Sequence, residues 1–119
     1  MRFIPGASRP PKEADPTHFV LPAFTQALIG REDDLPVRIY RVGFEPGARM
    51  GWHRHDAEQI LIGLAGSCVV VNREGERILL EAGDVVVVEP DEDHWHGAPS
   101  GAKGEHLAIN LGDETTWLE

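Results

Sequence analysis

Two histidines separated by one residue, His53 and His55, are the part of the sequence best suited to do chemistry. Side chains two residues apart in a β-strand point to the same face, so both imidazoles can reach one point. Neutral imidazole is the commonest protein ligand for first-row transition metals. Gln59 follows at an even spacing and stays on that face if the strand resumes after a short turn. The pattern indicates a metal site, although an isolated pair of this kind is more often two surface histidines on an edge strand.

The second half of the chain supplies a further ligand candidate, His94, in the segment His94-Trp95-His96. His94 and His96 share a face of a strand and Trp95 lies on the other. His96 is not needed as a ligand, so we predict that it is the general acid or base, since an unperturbed imidazole titrates near neutral pH. Glu58 is the alternative to Gln59 as a metal ligand. It lies an odd number of residues from His53 and His55, however, so strand alternation predicts that its side chain points outward.

These two segments resemble the paired motifs of the cupins, which are small β-barrel metalloproteins. In the first motif the family usually has a glutamate where this chain has Gln59. In the second motif Glu89, Asp91 and Ala98 stand where the family usually has proline, glycine and asparagine. The resemblance covers residues 36–111 and implies a metal held by His53, His55, Gln59 and His94. The positions that match the two motifs are Gly47, His53, His55, Gly66, Gly83 and His94.

The runs beginning at His94 (His-Trp-His-Gly) and His106 (His-Leu-Ala-Ile) resemble a subgroup of small bacterial cupins. Some members are carboxymuconolactone-decarboxylase-like, and others are manganese-dependent hydroxynitrile lyases. This resemblance implies a metal-dependent enzyme, either a carbon–carbon lyase or a dioxygenase. The alternative is a non-catalytic module that binds a metal and a small ligand, which turnover would distinguish. A site of three imidazoles and one amide oxygen can bind manganese, iron, zinc, nickel or cobalt, so the ligand types do not identify the metal.

Length, charge and cysteine content narrow the class of protein. A chain of 119 residues forms one domain. A net charge of −9 argues against nucleic acid or an anionic membrane as partner. The resemblance implies a small-molecule substrate instead. Cys68 is the single cysteine, so no intrachain disulfide forms. The first residues lack the apolar stretch of a secretion signal, and no segment is long enough to span a membrane, so we expect a cytoplasmic protein.

Short β-branched runs separated by turn residues predict an all-β fold, a sandwich or barrel. The resemblance makes this a single-domain cupin-type antiparallel β-barrel, a jelly roll, at residues 36–119, preceded by a proline-rich N-terminal arm at residues 1–35. Helix signals are weak, and only residues 19–29 could hold a helical turn, which Pro22 interrupts. Strands are predicted at 37–44, 52–55, 59–65, 67–72, 77–81, 85–89, 94–96 and 106–111.

Alternation then predicts which side chains share the cavity with the histidines. We expect His106 and Tyr40 as further catalytic candidates. The alternative for Tyr40, His106 and Asn110 is a core polar group with a local hydrogen bond. Leu107 and Ile109 would lie outside and, with the arm, predict a homodimer. The predicted substrate-binding side chains are Val42, Phe44, Ala108 and Asn110.

Overall fold

The structure, a computed structural model, describes residues 1–118 as an almost entirely β protein. Within these residues there are two 3-10 turns, Gly6–Ser8 and Arg31–Asp33, and no α-helix, hence none that could cross a membrane. The strands are β1 (Lys12–Glu13), β2 (Phe19–Val20), β3 (Ala23–Ile29), β4 (Arg38–Phe44), β5 (Arg49–Met50), β6 (His53–His55), β7 (Gln59–Asn72), β8 (Arg77–Glu81), β9 (Val85–Val88), β10 (His94–Gly97), β11 (Gly104–Asn110) and β12 (Thr115–Trp117).

Strand β7 belongs to both halves of the barrel wall. Its first part pairs with β11 and β9, and its second part pairs with β10 and β8. The first sheet continues from β11 through β4 and β3 to β1, and the second continues from β10 through β5 to β2, with β6 and β12 beside them. Every pairing is antiparallel. The predicted jelly-roll barrel is confirmed.

Gly66 lies where β7 passes from one sheet to the other. Its φ of 60° is in the left-handed region, which favours glycine. A Cβ at this position would also collide with the backbone carbonyl of Lys103. The prediction of two strands separated at residue 66 was therefore wrong, because glycine lets one strand of 14 residues bend without ending.

The N-terminal segment contributes strands to both sheets. β3 pairs with β4 from Ala23 to Ile29, and β2 pairs with β5. The guanidinium of Arg9 donates two hydrogen bonds of 2.6 Å to the buried carboxylate of Asp33. This contact anchors the N-terminal residues around Arg9 to the barrel. The predicted boundary between arm and barrel at residue 35 thus lies between β3 and β4, two strands that pair in one sheet. Residues 19–29, the segment in which the sequence left room for a helical turn, contain β2 and β3 and no such turn, because pairing with β4 outweighs local preference.

The barrel interior follows the predicted alternation. Val42 and Phe44 of β4 and His106 and Ala108 of β11 are buried, whereas Leu107 points to the outer face and is half-buried. In register with it across neighbouring strands lies a set of aliphatic side chains, which we call the aliphatic outer face: Ile39, Ile60, Ile62, Val85, Val87, Leu107 and Ile109.

Candidate metal centre

Two short strands bring four histidines together. In β6, His53 and His55 are buried on the inner side. In β10, His94 and His96 do the same. The strands pair with His94 opposite His53. Period-two alternation thus sends both pairs of imidazoles into the barrel.

The imidazole rings lie within contact distance of one another. Ring centroids are 4.3 Å apart for His53 and His94, 5.0 Å for His53 and His55, and 5.3 Å for His55 and His94. His96 lies 5.4 Å from His53. The nitrogens of His53, His94 and His96 that could bind a metal are all within 4.8 Å of one another. The positions of the nitrogens thus place His96 in one group with His53 and His94, whereas the sequence predicts His55 as the third imidazole ligand.

Backbone carbonyls define which nitrogen of two rings carries the proton. Nδ1 of His53 lies 2.8 Å from the carbonyl oxygen of Gly51, and Nδ1 of His94 lies 2.9 Å from that of Glu92. Each Nδ1–H donates to its carbonyl, so Nε2 keeps its lone pair. Nε2 of His53 and Nε2 of His55 are buried without a hydrogen-bond partner among residues 1–118. The lone pair on Nε2 of His53 is therefore available to a metal. Nε2 of His55 is available likewise when Nδ1 of His55 holds the proton and donates it to Oγ1 of Thr115.

Gln59 completes the group through its amide oxygen. Its Nε2 donates to Oδ1 of Asn110 at 2.7 Å, and its Oε1 lies 3.1 Å from Nε2 of His94. Both of these facing atoms carry lone pairs and neither carries a proton. Two ligands about 2.1 Å from one ion and at right angles lie about 3.0 Å apart. The distance between Oε1 of Gln59 and Nε2 of His94 therefore fits two ligands of one divalent cation. Glu58, the alternative ligand, is exposed, as its odd spacing from the histidines predicted.

Burial keeps the imidazoles neutral. It lowers the pKa of His53 to about 3 and that of His55 to about 4, and the neighbouring His94 adds to both shifts. It also lowers the pKa of His94 itself. A buried cationic imidazole loses its hydration, whereas the neutral ring does not pay this penalty. Near neutral pH the nitrogens are thus free of protons that would compete with a metal.

His96 is hydrogen-bonded to His106 deeper in the barrel. Nδ1 of His96 lies 2.8 Å from Nε2 of His106, and both rings are buried. Burial holds the pKa of His96 well below its usual range and lowers that of His106 to about 4. Phe44 packs against both rings, with centroids 6.3 Å from His96 and 5.7 Å from His106. Phe44 and His106 therefore stand behind His96.

A cavity of about 240 Å³ adjoins the histidines. Four of the side chains that alternation predicted do line it: Tyr40, Val42, Ala108 and Asn110. Phe44 and His106 are on the predicted face of their strands but lie one layer deeper in the barrel, so they do not reach the cavity. None of the lining side chains is charged. The complete lining is Phe19, Thr25, Tyr40, Val42, Met50, His55, Gln59, His96, Ala108, Asn110, Thr115 and Trp117.

Five of these lining residues were missed from the sequence, and four of them lie on strands near the chain ends. β12 pairs with β6, so Oγ1 of Thr115 lies 3.1 Å from Nδ1 of His55 and the Trp117 ring lies 4.8 Å from that of His53. The β-branched and aromatic run at residues 115–117 was a strand signal that could have been used. The complete set of missed residues is Phe19, Thr25, Met50, Thr115 and Trp117.

Comparison with known proteins gives consistent matches. The profile of the cupin domain family matches residues 40–110. The chain is 45% identical over 82 residues to an (R)-mandelonitrile lyase from Granulicella tundricola, covering 66% of this chain. The match covers 62% of that enzyme, which is less than two thirds of its length.

Solved structures support the fold. A cupin-like protein from Thermotoga maritima superposes with a TM-score of 0.83 at 33% identity, covering 89% of this chain and 83% of that one. A polyketide cyclase from Streptomyces resistomycificus superposes with a TM-score of 0.82 at 15% identity, covering 100% of this chain and 86% of that one. The second likeness is one of fold alone.

Proposed function

We propose that this chain, which belongs to the cupin domain family, is a metal-dependent lyase that cleaves a carbon–carbon bond beside a hydroxyl-bearing carbon. The observation that carries the proposal is the pair of buried Nε2 atoms of His53 and His55, which have no hydrogen-bond partner in residues 1–118, beside the facing Nε2 of His94 and Oε1 of Gln59. Buried polar groups without partners cost free energy, and a divalent cation satisfies several lone pairs at once. His53, His55, Gln59 and His94 would hold it, and the metal when bound supplies a Lewis acid that polarises a substrate oxygen.

The cavity and the relative together suggest the substrate class. A volume of about 240 Å³ suits a molecule smaller than a drug-sized ligand. The wall has no charged side chain, so an anionic substrate would lose its hydration without gaining a counter-charge. Aromatic and aliphatic groups such as Phe19, Val42 and Trp117 favour an apolar body. These features support a neutral aromatic hydroxynitrile, the class named for the mandelonitrile lyase relative.

We assign the proton transfer to Nε2 of His96. If His106 donates its Nε2–H to Nδ1 of His96, then Nε2 of His96 carries a proton. Nδ1 of His106 is then left as a bare lone pair. In the opposite arrangement, Nδ1 of His106 would hold a buried N–H without an acceptor among the described residues. In the first arrangement Nε2 of His96 is likewise a buried N–H without an acceptor among these residues. His96 lines the cavity and His106 does not, so a bound substrate can accept a hydrogen bond from Nε2 of His96 but not from Nδ1 of His106. Orphaned buried N–H groups are rare, so we favour the first arrangement, which presents a donor to the cavity.

The reaction itself needs one proton moved. Cleavage breaks the bond between the carbinol carbon and the nitrile carbon, and the electron pair leaves with cyanide. The hydroxyl oxygen loses its proton and becomes the carbonyl oxygen of an aldehyde, while cyanide gains a proton. Nε2 of His96, which carries a proton at the start, can give that proton to the leaving cyanide and then take up the hydroxyl proton, which restores its starting state. Tyr40 and Asn110 would orient the substrate oxygen, and Phe19 and Trp117 would exclude water.

A direct assay tests this function. Metal-loaded protein is mixed with racemic mandelonitrile at a pH where spontaneous decay is slow, and benzaldehyde is followed by absorbance. We expect benzaldehyde release with one enantiomer consumed faster. His53→Ala should lose both metal and activity, whereas Glu58→Gln, a change at an exposed position, should keep both. If the metal-loaded protein releases benzaldehyde no faster than His53→Ala, the lyase proposal is wrong.

Elemental analysis of the purified protein separates the remaining possibilities. Manganese or zinc would agree with redox-neutral lyase chemistry, and iron with oxygen consumption would indicate a dioxygenase instead. A protein that binds benzaldehyde in the presence of metal but converts no substrate would be a binding module. In that case His96→Ala should change only the affinity for the ligand.

A further inference from the structure

The strands that carry the histidines also carry a row of large side chains on their outer side. Arg54 lies between the two histidines of β6, and Trp95 lies between the two histidines of β10. Alternation points both away from the cavity, and both are half-buried, in contrast to the fully covered histidines. Whatever holds Arg54 and Trp95 therefore also acts on the backbone that carries the imidazoles.

Ion pairs link the two strands on this outer side. Nε of Arg54 donates to Oδ1 of Asp93 at 2.8 Å, and Nη2 of Arg54 lies 3.4 Å from Oδ2. Nε of Arg73 lies 3.7 Å from the same carboxylate. Asp93 directly precedes His94. The carboxylate thus connects the middle of β6 to the start of β10 and to the end of β7.

Aromatic contacts extend this link. The Arg73 guanidinium lies 4.0 Å above the Trp52 ring, in cation–π geometry. Trp52 meets Trp95 edge to face, with centroids 6.5 Å apart and an interplanar angle of 87°. Arg49 lies 4.6 Å above the other tryptophan, Trp95. Trp52 directly precedes His53, so these contacts also reach the ligand strands.

The backbone alone joins these strands weakly. β6 and β10 are in register at a single residue pair, His53 and His94. Strand β5 ends at Met50, and β6 begins at His53. Few backbone hydrogen bonds therefore define how far apart the two strands lie, although a metal site requires donor positions accurate to a few tenths of an ångström.

We propose that Arg54, Asp93, Arg73, Trp52 and Trp95, which we name the outer brace, hold β6 against β10 at the spacing that metal binding requires. The inference rests on the proposed metal site. These are positioning residues, since none of them lines the cavity. The Arg54 and Asp93 side chains are 40% and 24% exposed, and exposed ion pairs add little to global stability. Their effect is expected in metal affinity rather than in folding.

The test measures the dissociation constants of Mn²⁺ and Zn²⁺ by competition with a fluorescent chelator. We expect Arg54→Ala to bind both metals about 10–100-fold more weakly than wild type, as is usual when a residue that supports a metal ligand is lost. Removing a positive charge near a cation should by itself strengthen binding. A loss of affinity would therefore reflect geometry. Arg54→Lys keeps the charge but not the two-pronged contact, and should recover part of the affinity.

Arg77→Ala is the matched control, since it also removes an arginine. Arg77 lies on β8, is exposed, and forms no ion pair within residues 1–118. Metal-free Arg54→Ala should melt within about 5 °C of this control, the shift expected for a small stability change. Equal metal affinity of the two variants would overturn the proposal, as would a larger drop in the metal-free melting temperature. Wild-type protein that binds neither metal would overturn the metal site itself, and the brace with it.

Discussion

Replacement of His96 separates its chemical role from its structural one. The ring is 1% exposed and gives His106 its hydrogen bond through Nδ1. His96→Ala removes both nitrogens. His96→Asn removes Nε2 but keeps an amide oxygen near the position of Nδ1, which can still accept from His106. Under the proposed function both variants should lose turnover, and only alanine should lose the partner of His106.

The expected sizes follow from these contacts. Loss of a general acid or base lowers turnover by roughly 10²–10⁴-fold, which corresponds to about 3–5 kcal/mol of barrier. Leaving the buried Nε2 of His106 unpaired costs about 1–3 kcal/mol of unfolding free energy. We therefore expect His96→Ala to be less stable than His96→Asn by that amount. Metal content should stay near the wild-type value in both variants, because four other donors remain.

Three measurements on each variant decide the matter: metal content by elemental analysis, turnover with mandelonitrile, and unfolding in urea. His53→Ala is the control that should lose metal and activity together. If His96→Asn also loses its metal, His96 is a ligand within the group that it forms with His53 and His94. If the metal stays and turnover is unchanged, the proton carrier is another residue, with His106 or Tyr40 next in line.

In the metal-free protein, the free energy of unfolding should fall as the pH drops from 6.5 to about 4. In this pH range the histidines of the unfolded chain take up protons, whereas the buried His53 and His106 stay neutral in the folded protein because their pKa values are about 3 and about 4. Urea titrations that show no pH dependence would contradict this. Asn110→Leu, which frees the Gln59 amide, should weaken metal binding about 10–100-fold in chelator competition, whereas Asn110→Asp should not. We also propose that the aliphatic outer face binds a second copy of the chain, as the sequence led us to expect. Light scattering should give a dimer mass for wild type and a monomer mass for Val87→Asp, and a wild-type monomer at micromolar concentration would refute it.

The spacing of the polar residues determined much of the candidate site from the sequence alone. His53, His55 and Gln59 share one parity, and the structure buries all three while Glu58 is exposed. Side-chain alternation is a local property of an extended backbone, so it needs no knowledge of the fold. The turn residues and β-branched runs likewise predicted an all-β sandwich or barrel, because they act over a few neighbouring positions. The resemblance to the cupins selected the barrel.

The tertiary structure decided which strands meet and how deep each side chain lies. Phe44 and His106 have the predicted parity, yet they stand behind His96 and leave the cavity wall to residues such as Thr25 and Trp117. Thr25 comes from β3, which pairs with the next long strand, β4, whereas Trp117 comes from β12, which pairs with β6 far away in the sequence. Alternation defines the face of a strand but not its neighbours, and long-range pairing selects these through the packing of the whole core.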